Sequence, residues 1–288
     1  MSRDASPERP RRIDGLGEIA ARFDVVLADQ FGVLHDGVRP YPGAVEALRG
    51  LRDAGVRTLV LSNSGKRAAP NADRLSRLGV SASLYERVLS SGELAWKAIG
   101  ARARERGAGP RARCLLLARD GDVSAVDGLD IELVDDAELA DVVLIAGSTA
   151  DVHDEAHFRA LLAPAARRGT RCLCTNPDRW MLTPGGRRFG AGHIAGLYRE
   201  LGGPVTWYGK PYPEIYAAAL ALVDDPPPGR VLCIGDSLEH DVAGGASAGL
   251  ATLFVRGGIH ADAGADELAA AMRRHDAVPD FAIDRLCW

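Results

Sequence analysis

Short apolar, β-branched runs recur along this chain with longer segments of helical period between them, the signature of parallel strands joined by crossover helices. The chain is therefore expected to be α/β. The runs read as strands are Val25–Ala28, Thr58–Leu61, Cys114–Ala118, Val142–Ile145, Cys172–Thr175, Val205–Tyr208, Val231–Ile234 and Thr252–Val255. Helical segments are expected near Gly43–Ala54, Arg67–Leu78, Gly92–Arg106, Glu155–Arg167, His193–Leu201, Glu214–Val223 and Asp241–Ala248.

Gly/Pro clusters at Gly107-Ala108-Gly109-Pro110 and Gly202-Gly203-Pro204 bracket a stretch with its own strand–helix alternation, which reads as an inserted domain. The expected division is 1–106 and 205–288 for a discontinuous core and 107–204 for the insertion. Residues 1–12, with Arg9, Arg11 and Arg12, read as a disordered, solvated tail rather than a binding arm. A formal net charge of −4 without interleaved basic and aromatic residues argues against nucleic acid. No apolar run is long enough to span a bilayer and residues 1–12 have no hydrophobic centre, so no membrane partner and a cytoplasmic location are expected. Of the five cysteines, Cys172 and Cys174 suggest a metal or redox pair, but alternate strand positions share a face and buried packing explains them better.

Three strand ends run directly into polar residues: Ala28 into Asp29, Leu61 into Ser62-Asn63, and Ile234 into Gly235-Asp236. Open parallel sheets bind ligands just beyond those carboxyl ends. Asp29 could be a nucleophile, a metal ligand or a turn acceptor, and this motif alone leaves all three open. Asp236 suits a hard cation, which needs few protein oxygens. Asp241 reads either as its partner or as a helix cap. Ser62, Asn63 and Lys210 could hold phosphate oxygens, although a lone lysine is more often simply exposed.

The order Asp, Ser, Lys, paired Asp, each at a strand end or glycine turn, resembles the haloacid dehalogenase superfamily. The matching segments are Asp29-Gln30-Phe31-Gly32-Val33-Leu34, Ser62-Asn63, Gly209-Lys210-Pro211 and Gly235-Asp236 through Asp241. His35-Asp36-Gly37, Pro42-Gly43-Ala44, Asn176-Pro177-Asp178 and Gly190-Ala191-Gly192 extend the match, which runs from about Phe23 to about Gly258. An insertion between the second and third motifs is the pattern of subclass IIA, the group with pyridoxal-phosphate and 4-nitrophenyl-phosphate phosphatases.

The resemblance implies a Rossmann-like three-layer core with a parallel sheet and an inserted α/β cap. It further implies a hydrolase that removes phosphate from a small phosphorylated metabolite through an aspartyl-phosphate on Asp29. Mg²⁺ would be held by Asp29, the main-chain carbonyl of Phe31, Asp236 and Asp241. Ser62, Asn63, Gly32 and Lys210 would bind phosphate, Lys210 also acting as a catalytic residue. Asn176, Asp178, Arg179 and Trp180 would read the substrate from the cap, and a homodimer through the cap follows from the same family pattern.

One position departs from that pattern. The family's phosphatases carry a second Asp two residues after the nucleophile, as general acid and base; here it is Phe31. General acid–base catalysis is worth roughly 10²–10⁴-fold, about 3–5.5 kcal/mol. The loss falls hardest on alkyl phosphates, whose alkoxides need a proton, and least on aryl or acyl phosphates. His35 or Asp36 could stand in, although a turn role explains both better. Two rivals follow: a phosphate-ligand-binding protein with weak or lost turnover, and a metal-free dehalogenase, which also carries an aromatic residue here. The retained Asp236 and Asp241 argue against the second.

Overall fold

The computed structural model describes residues 10–106, 110–183 and 186–288. They separate into two compact units, Met1–Ser62 with Ala72–Leu89 and Lys210–Trp288, and Asn63–Asn71 with Ser90–Gly209. Both are α/β.

The first unit is built on a seven-stranded sheet of β1 (Arg11–Arg12), β2 (Val25–Ala28), β3 (Arg57–Ser62), β4 (Arg87–Ser90), β12 (Val231–Gly235), β13 (Ala251–Val255) and β14 (Phe281–Ile283). Its order is β1-β14-β13-β12-β2-β3-β4. The pairings from β1 through to β3 are parallel. Every residue of β2 and β12 is buried, which is why these strands read as unbroken apolar runs rather than alternating ones. From β2 the chain builds outward through β3 and β4 on one side and, after returning, through β12, β13 and β14 on the other. The strand order therefore reverses between β2 and β12. Crevices at such reversals are where open α/β sheets take their ligands.

Helix α1 (Ala44–Asp53) buries Ala44, Ala47, Leu48 and Leu51, a stripe at helical spacing. Helix α2 (Ala68–Arg77) follows β3. In the second half of this unit come α6 (Pro213–Ala221), a π-helical turn at Leu238–Val242 that runs straight into α7 (Ala243–Ser247), and α8 (Ala265–His275). Leu268 and Met272 of α8 pack against Leu238, Val242 and Phe254.

The second unit has a five-stranded sheet of β5 (Ala112–Leu117), β6 (Ile131–Leu133), β7 (Val142–Ile145), β8 (Arg171–Cys174) and β11 (Val205–Trp207), in the order β11-β8-β7-β5-β6 and parallel throughout. Alternate residues serve opposite faces. Val143, Ile145, Cys172 and Cys174 meet Phe158 and Leu162 of α4 (Glu155–Arg167) and Ile194 and Tyr198 of α5 (Ala191–Glu200). Cys114, Leu144 and Leu173 meet Ala95 of α3 (Ser91–Arg106). An antiparallel hairpin, β9 (Trp180–Thr183) with β10 (Gly186–Phe189), completes the unit.

Several expectations change. Arg11 and Arg12, assigned to a solvated tail, form β1 along Phe281–Ala282, with Arg12 ion-paired to Asp284 at 2.9 Å; Arg9 lies outside the described residues. The 107–204 stretch lies inside the second unit, which also takes in α3, whose Ala95 packs under the sheet, and β11, which pairs with β8. The last expected helix starts as a π turn. Strands β1, β4, β6, β9, β10 and β14 and helix α8 were not expected. Among the described residues no helix is long and apolar enough to cross a membrane.

Candidate active site

Asp29 leaves the end of β2 with its N–H bound to the Ile234 carbonyl of β12 (2.9 Å), so its position follows from the register of the central strands. Behind it the chain folds into one tight turn: the N–H groups of Leu34 and His35 both donate to the Gln30 carbonyl (2.8 and 3.1 Å). Asp236 follows the last residue of β12, one strand away. Asp241 lies in the π turn, and π-helical segments concentrate at functional sites. A side chain at Gly235 would overlap the Asp241 carboxyl, so the glycine is what lets that carboxylate approach the strand end.

Lys210 joins the cluster. Its Nζ lies 2.8 Å from Asp29 Oδ1 and 2.7 Å from Asp241 Oδ1. The Lys210 and Asp241 side chains are 3% and 2% exposed, whereas Asp29 retains 13%; the nucleophile candidate is the accessible member of the trio. Burial opposes the lysine's charge, but Asp241 and Asp29 outweigh it and raise its pKa. Burial pushes the Asp29 carboxyl up to about 7, with Lys210 pulling it down and Asp241 up. Asp236 is pushed well up as well, by burial first and then by Asp29 and Asp241.

Those shifts describe a cluster short of positive charge. Asp29, Asp236 and Asp241 each bring a carboxylate oxygen to within 4.8 Å of the others, and one ammonium against three carboxylates leaves two negative charges to be balanced. An all-oxygen donor set with that deficit fits Mg²⁺. Asp236 is also cradled: Ile259 N–H donates to its Oδ2 at 2.7 Å, and a Cβ at Gly32 or Gly258 would come within 1.9 or 2.1 Å of that oxygen. Gly32 has φ of +80°, a conformation suited to glycine. Its N–H is spent on the His35 carbonyl (3.1 Å), so its contribution here is space for Asp236 rather than a donor for phosphate.

Ser62 ends β3 beside β2. Gln30 Nε2 donates to its Oγ at 2.5 Å, and Gln30 Oε1 lies 3.4 Å from His35 Nε2. His35 Nδ1 accepts from Gly37 N–H at 3.0 Å, which makes Nε2 the protonated nitrogen of a neutral ring. Burial, reinforced by the nearby Arg74 charge, brings that imidazole down to about 4. Asp36 Oδ1 accepts from the N–H groups of Val38 and Arg39, both at 2.8 Å, and these bonds hold its pKa low. Both residues are turn-formers, and neither carries a proton it could give to a leaving group at neutral pH. Phe31 is 41% exposed and meets the His35 ring edge-on at 4.4 Å.

The other expected residues lie in the second unit. Asn63 Nδ2 donates to Asp178 Oδ1 at 2.8 Å, and Asp178 N–H to Asn176 Oδ1 at 3.1 Å, a short polar network. Arg179 is exposed, and Trp180 opens β9 with the Arg187 guanidinium 4.3 Å from its ring. Sequence reasoning passed over Gln30, the Ile259 N–H and Gly258. The only available signal was Gln30 itself, a polar side chain beside a buried strand end.

Residues 26–132 match the model of the haloacid dehalogenase-like hydrolase family and residues 207–284 that of the HAD-hydrolase-like family. Chronophin of Bos taurus is 31% identical over 94% of this chain and 93% of its own length. The solved p-nitrophenyl phosphatase of Archaeoglobus fulgidus superposes with a TM-score of 0.69 at 26% identity, over 91% of this chain and 96% of that one. The glycerol phosphate phosphatase of Mycobacterium tuberculosis, solved in complex with magnesium, superposes with a TM-score of 0.65 at 29% identity, over 84% of this chain and 70% of that one. With its motifs gathered where the strand order reverses, and a relative matched almost end to end, the chain belongs to the haloacid dehalogenase-like hydrolases, and the subclass IIA pattern fits it.

Proposed function

We propose that the protein is a Mg²⁺-dependent phosphomonoesterase that removes phosphate from a small phosphorylated metabolite, with Asp29 as nucleophile. The observation that supports this most is the Lys210 bridge between Asp29 Oδ1 and Asp241 Oδ1, with Asp236 in the same cluster. It orients one accessible carboxylate and leaves a cation-sized charge deficit beside it. The phosphatase names carried by the Archaeoglobus and Mycobacterium relatives point the same way and favour neither rival reading.

Asp29, Asp236 and the Phe31 carbonyl would hold Mg²⁺, with Asp241 beside them. When bound, the ion neutralises phosphate oxygens and so helps the group transfer. Lys210 fixes the Asp29 carboxylate, and an oxygen of Asp29 attacks phosphorus in line as the ester P–O bond breaks. The Ser62 hydroxyl, accepting from Gln30, is turned to donate to a phosphate oxygen. Water then attacks the aspartyl-phosphate, releasing phosphate and restoring Asp29. With Phe31 at the acid position and His35 and Asp36 tied into the turn, the departing oxygen takes its proton from water. Leaving groups that are stable as anions are therefore preferred.

The same proposal gives the second unit, carrying Asn176, Asp178, Arg179 and Trp180, the part of substrate-reading cap and homodimer contact. It also places the protein in the cytoplasm, where five unpaired cysteines suit a reducing medium. The test is phosphate release from a panel of alkyl, aryl and acyl phosphates with Mg²⁺ and with EDTA, for wild type and Asp29→Asn. Activity is expected only in the wild type with metal. An Asp29→Asn protein as active as wild type ends the assignment of the nucleophile, and no release from any ester ends the phosphatase reading.

A further inference from the structure

Arg74 differs from Arg57 and Arg230 of the first unit in having no ion pair among the described residues. Arg57 pairs with Glu86 at 2.6 Å and Arg230 with Asp24 at 2.5 Å. Among the described residues, no ion pair or side-chain hydrogen bond engages the Arg74 guanidinium. Yet its side chain is half-buried on α2, with its guanidinium carbon 5.3 Å from the centroid of the Phe31 ring. The charged neighbour that acts on it is Arg77, which repels it, while His35 nearby is neutral. A cation–π contact with one ring recovers only part of the hydration that a half-buried guanidinium gives up. The fork of donors is thus held in place beside the nucleophile loop with its bidentate capacity unused.

Phe31 is two residues from Asp29 and exposed. The Arg74 guanidinium over that ring therefore stands beside the nucleophile turn, where the organic part of an ester held at Asp29 would extend. We propose that Arg74 is a specificity-determining residue that binds a second anionic group, a carboxylate or a further phosphate, on the organic part of the substrate. The inference rests on the phosphomonoesterase reading and narrows its substrates to doubly anionic esters. It also gives the missing acid a counterweight. Binding energy from a group remote from phosphorus holds the ester in line, where Phe31 provides no proton.

The experiment compares matched pairs: 3-phosphoglycerate with glycerol 3-phosphate for the carboxylate, and fructose 1,6-bisphosphate with fructose 6-phosphate for the second phosphate. The kcat/KM ratio within each pair is measured for wild type, Arg74→Gln and Arg74→Lys, with thermal melts to show that the variants are folded. The wild type is expected to favour the doubly charged member of at least one pair. Arg74→Gln should lower that preference roughly ten- to hundredfold, the worth of a charge-assisted hydrogen-bond pair, and Arg74→Lys should retain part of it. No preference in either pair, or a preference unchanged in Arg74→Gln, overturns the proposal. If the wild type hydrolyses no ester, only the phosphatase reading falls. Calorimetry of the same pairs with Mg²⁺ then decides, and equal affinities in wild type and Arg74→Gln overturn the role of Arg74.

Discussion

The Gln30 carboxamide donates to the Ser62 hydroxyl at 2.5 Å and faces His35 Nε2 with its oxygen, so one buried side chain ties the nucleophile turn to the end of the neighbouring strand. A leucine in its place keeps much of the volume but leaves the His35 N–H and the Ser62 hydroxyl each short of a partner. Loss of buried polar partners of this kind costs about 1–3 kcal/mol. Gln30→Leu is therefore expected to lower the unfolding free energy from urea titration by that much and to raise KM for phosphate esters. An unchanged KM would show that Ser62 is oriented without Gln30.

Among the described residues Lys210 is the sole ammonium set against Asp29 and Asp241, and it is buried with Asp241. Removing one member of a buried charge cluster costs about 3–5 kcal/mol, because the remaining charges lose their compensation. Lys210→Met should melt earlier by a matching amount, recover part of that loss when Mg²⁺ is added, and lose roughly 10²–10³-fold in kcat. Thermal melts with and without metal, beside a turnover assay, check all three outcomes. A melting point that ignores Mg²⁺ would count against the cluster as its site.

Most of the site could be read from the sequence because its residues follow apolar runs. Asp29, Ser62 and Asp236 are the first polar groups after, or at the end of, β2, β3 and β12, and buried parallel strands announce themselves as apolar runs. What could not be read lies in tertiary pairing. Gln30 finds Ser62 thirty-two residues away, and no local pattern marks such a bond. Val205–Trp207 was legible as a strand, but its pairing with Cys172–Cys174 depends on which sheet it joins. At two and three residues, β1 and β14 are too short to show a period of two. Helix α8 presents Ala271 with Leu268 and Met272, a thin apolar stripe among charges, and escaped notice for that reason.

Gly258 sits against the Asp236 carboxylate without contributing a side chain. A Cβ there would come within 2.1 Å of Asp236 Oδ2, the oxygen held by Ile259 N–H. Gly258→Ala is expected to turn the carboxylate, and groups that orient metal ligands are typically worth 10–100-fold in affinity. The Mg²⁺ concentration for half-maximal activity should rise by about that factor while the protein stays folded. A Mg²⁺ titration of activity with a parallel melt measures both.

Phe31→Asp puts a carboxyl at the position where the family's phosphatases carry their acid. The exposed ring leaves room for the smaller side chain, and the main-chain carbonyl stays where it is. The gain should be confined to esters that need a proton: kcat for glycerol 3-phosphate is expected to rise relative to that for 4-nitrophenyl phosphate, by up to about 10²-fold. The ceiling lies below the full value of general acid catalysis because Arg74, now over the ring, would stand beside the new carboxyl and favour its ionised form. Combining Phe31→Asp with Arg74→Gln should therefore raise the alkyl-to-aryl ratio further than Phe31→Asp alone. Steady-state rates on the two esters for both variants read this directly. A ratio that stays at the wild-type value in both would mean that the departing oxygen does not lie within reach of residue 31.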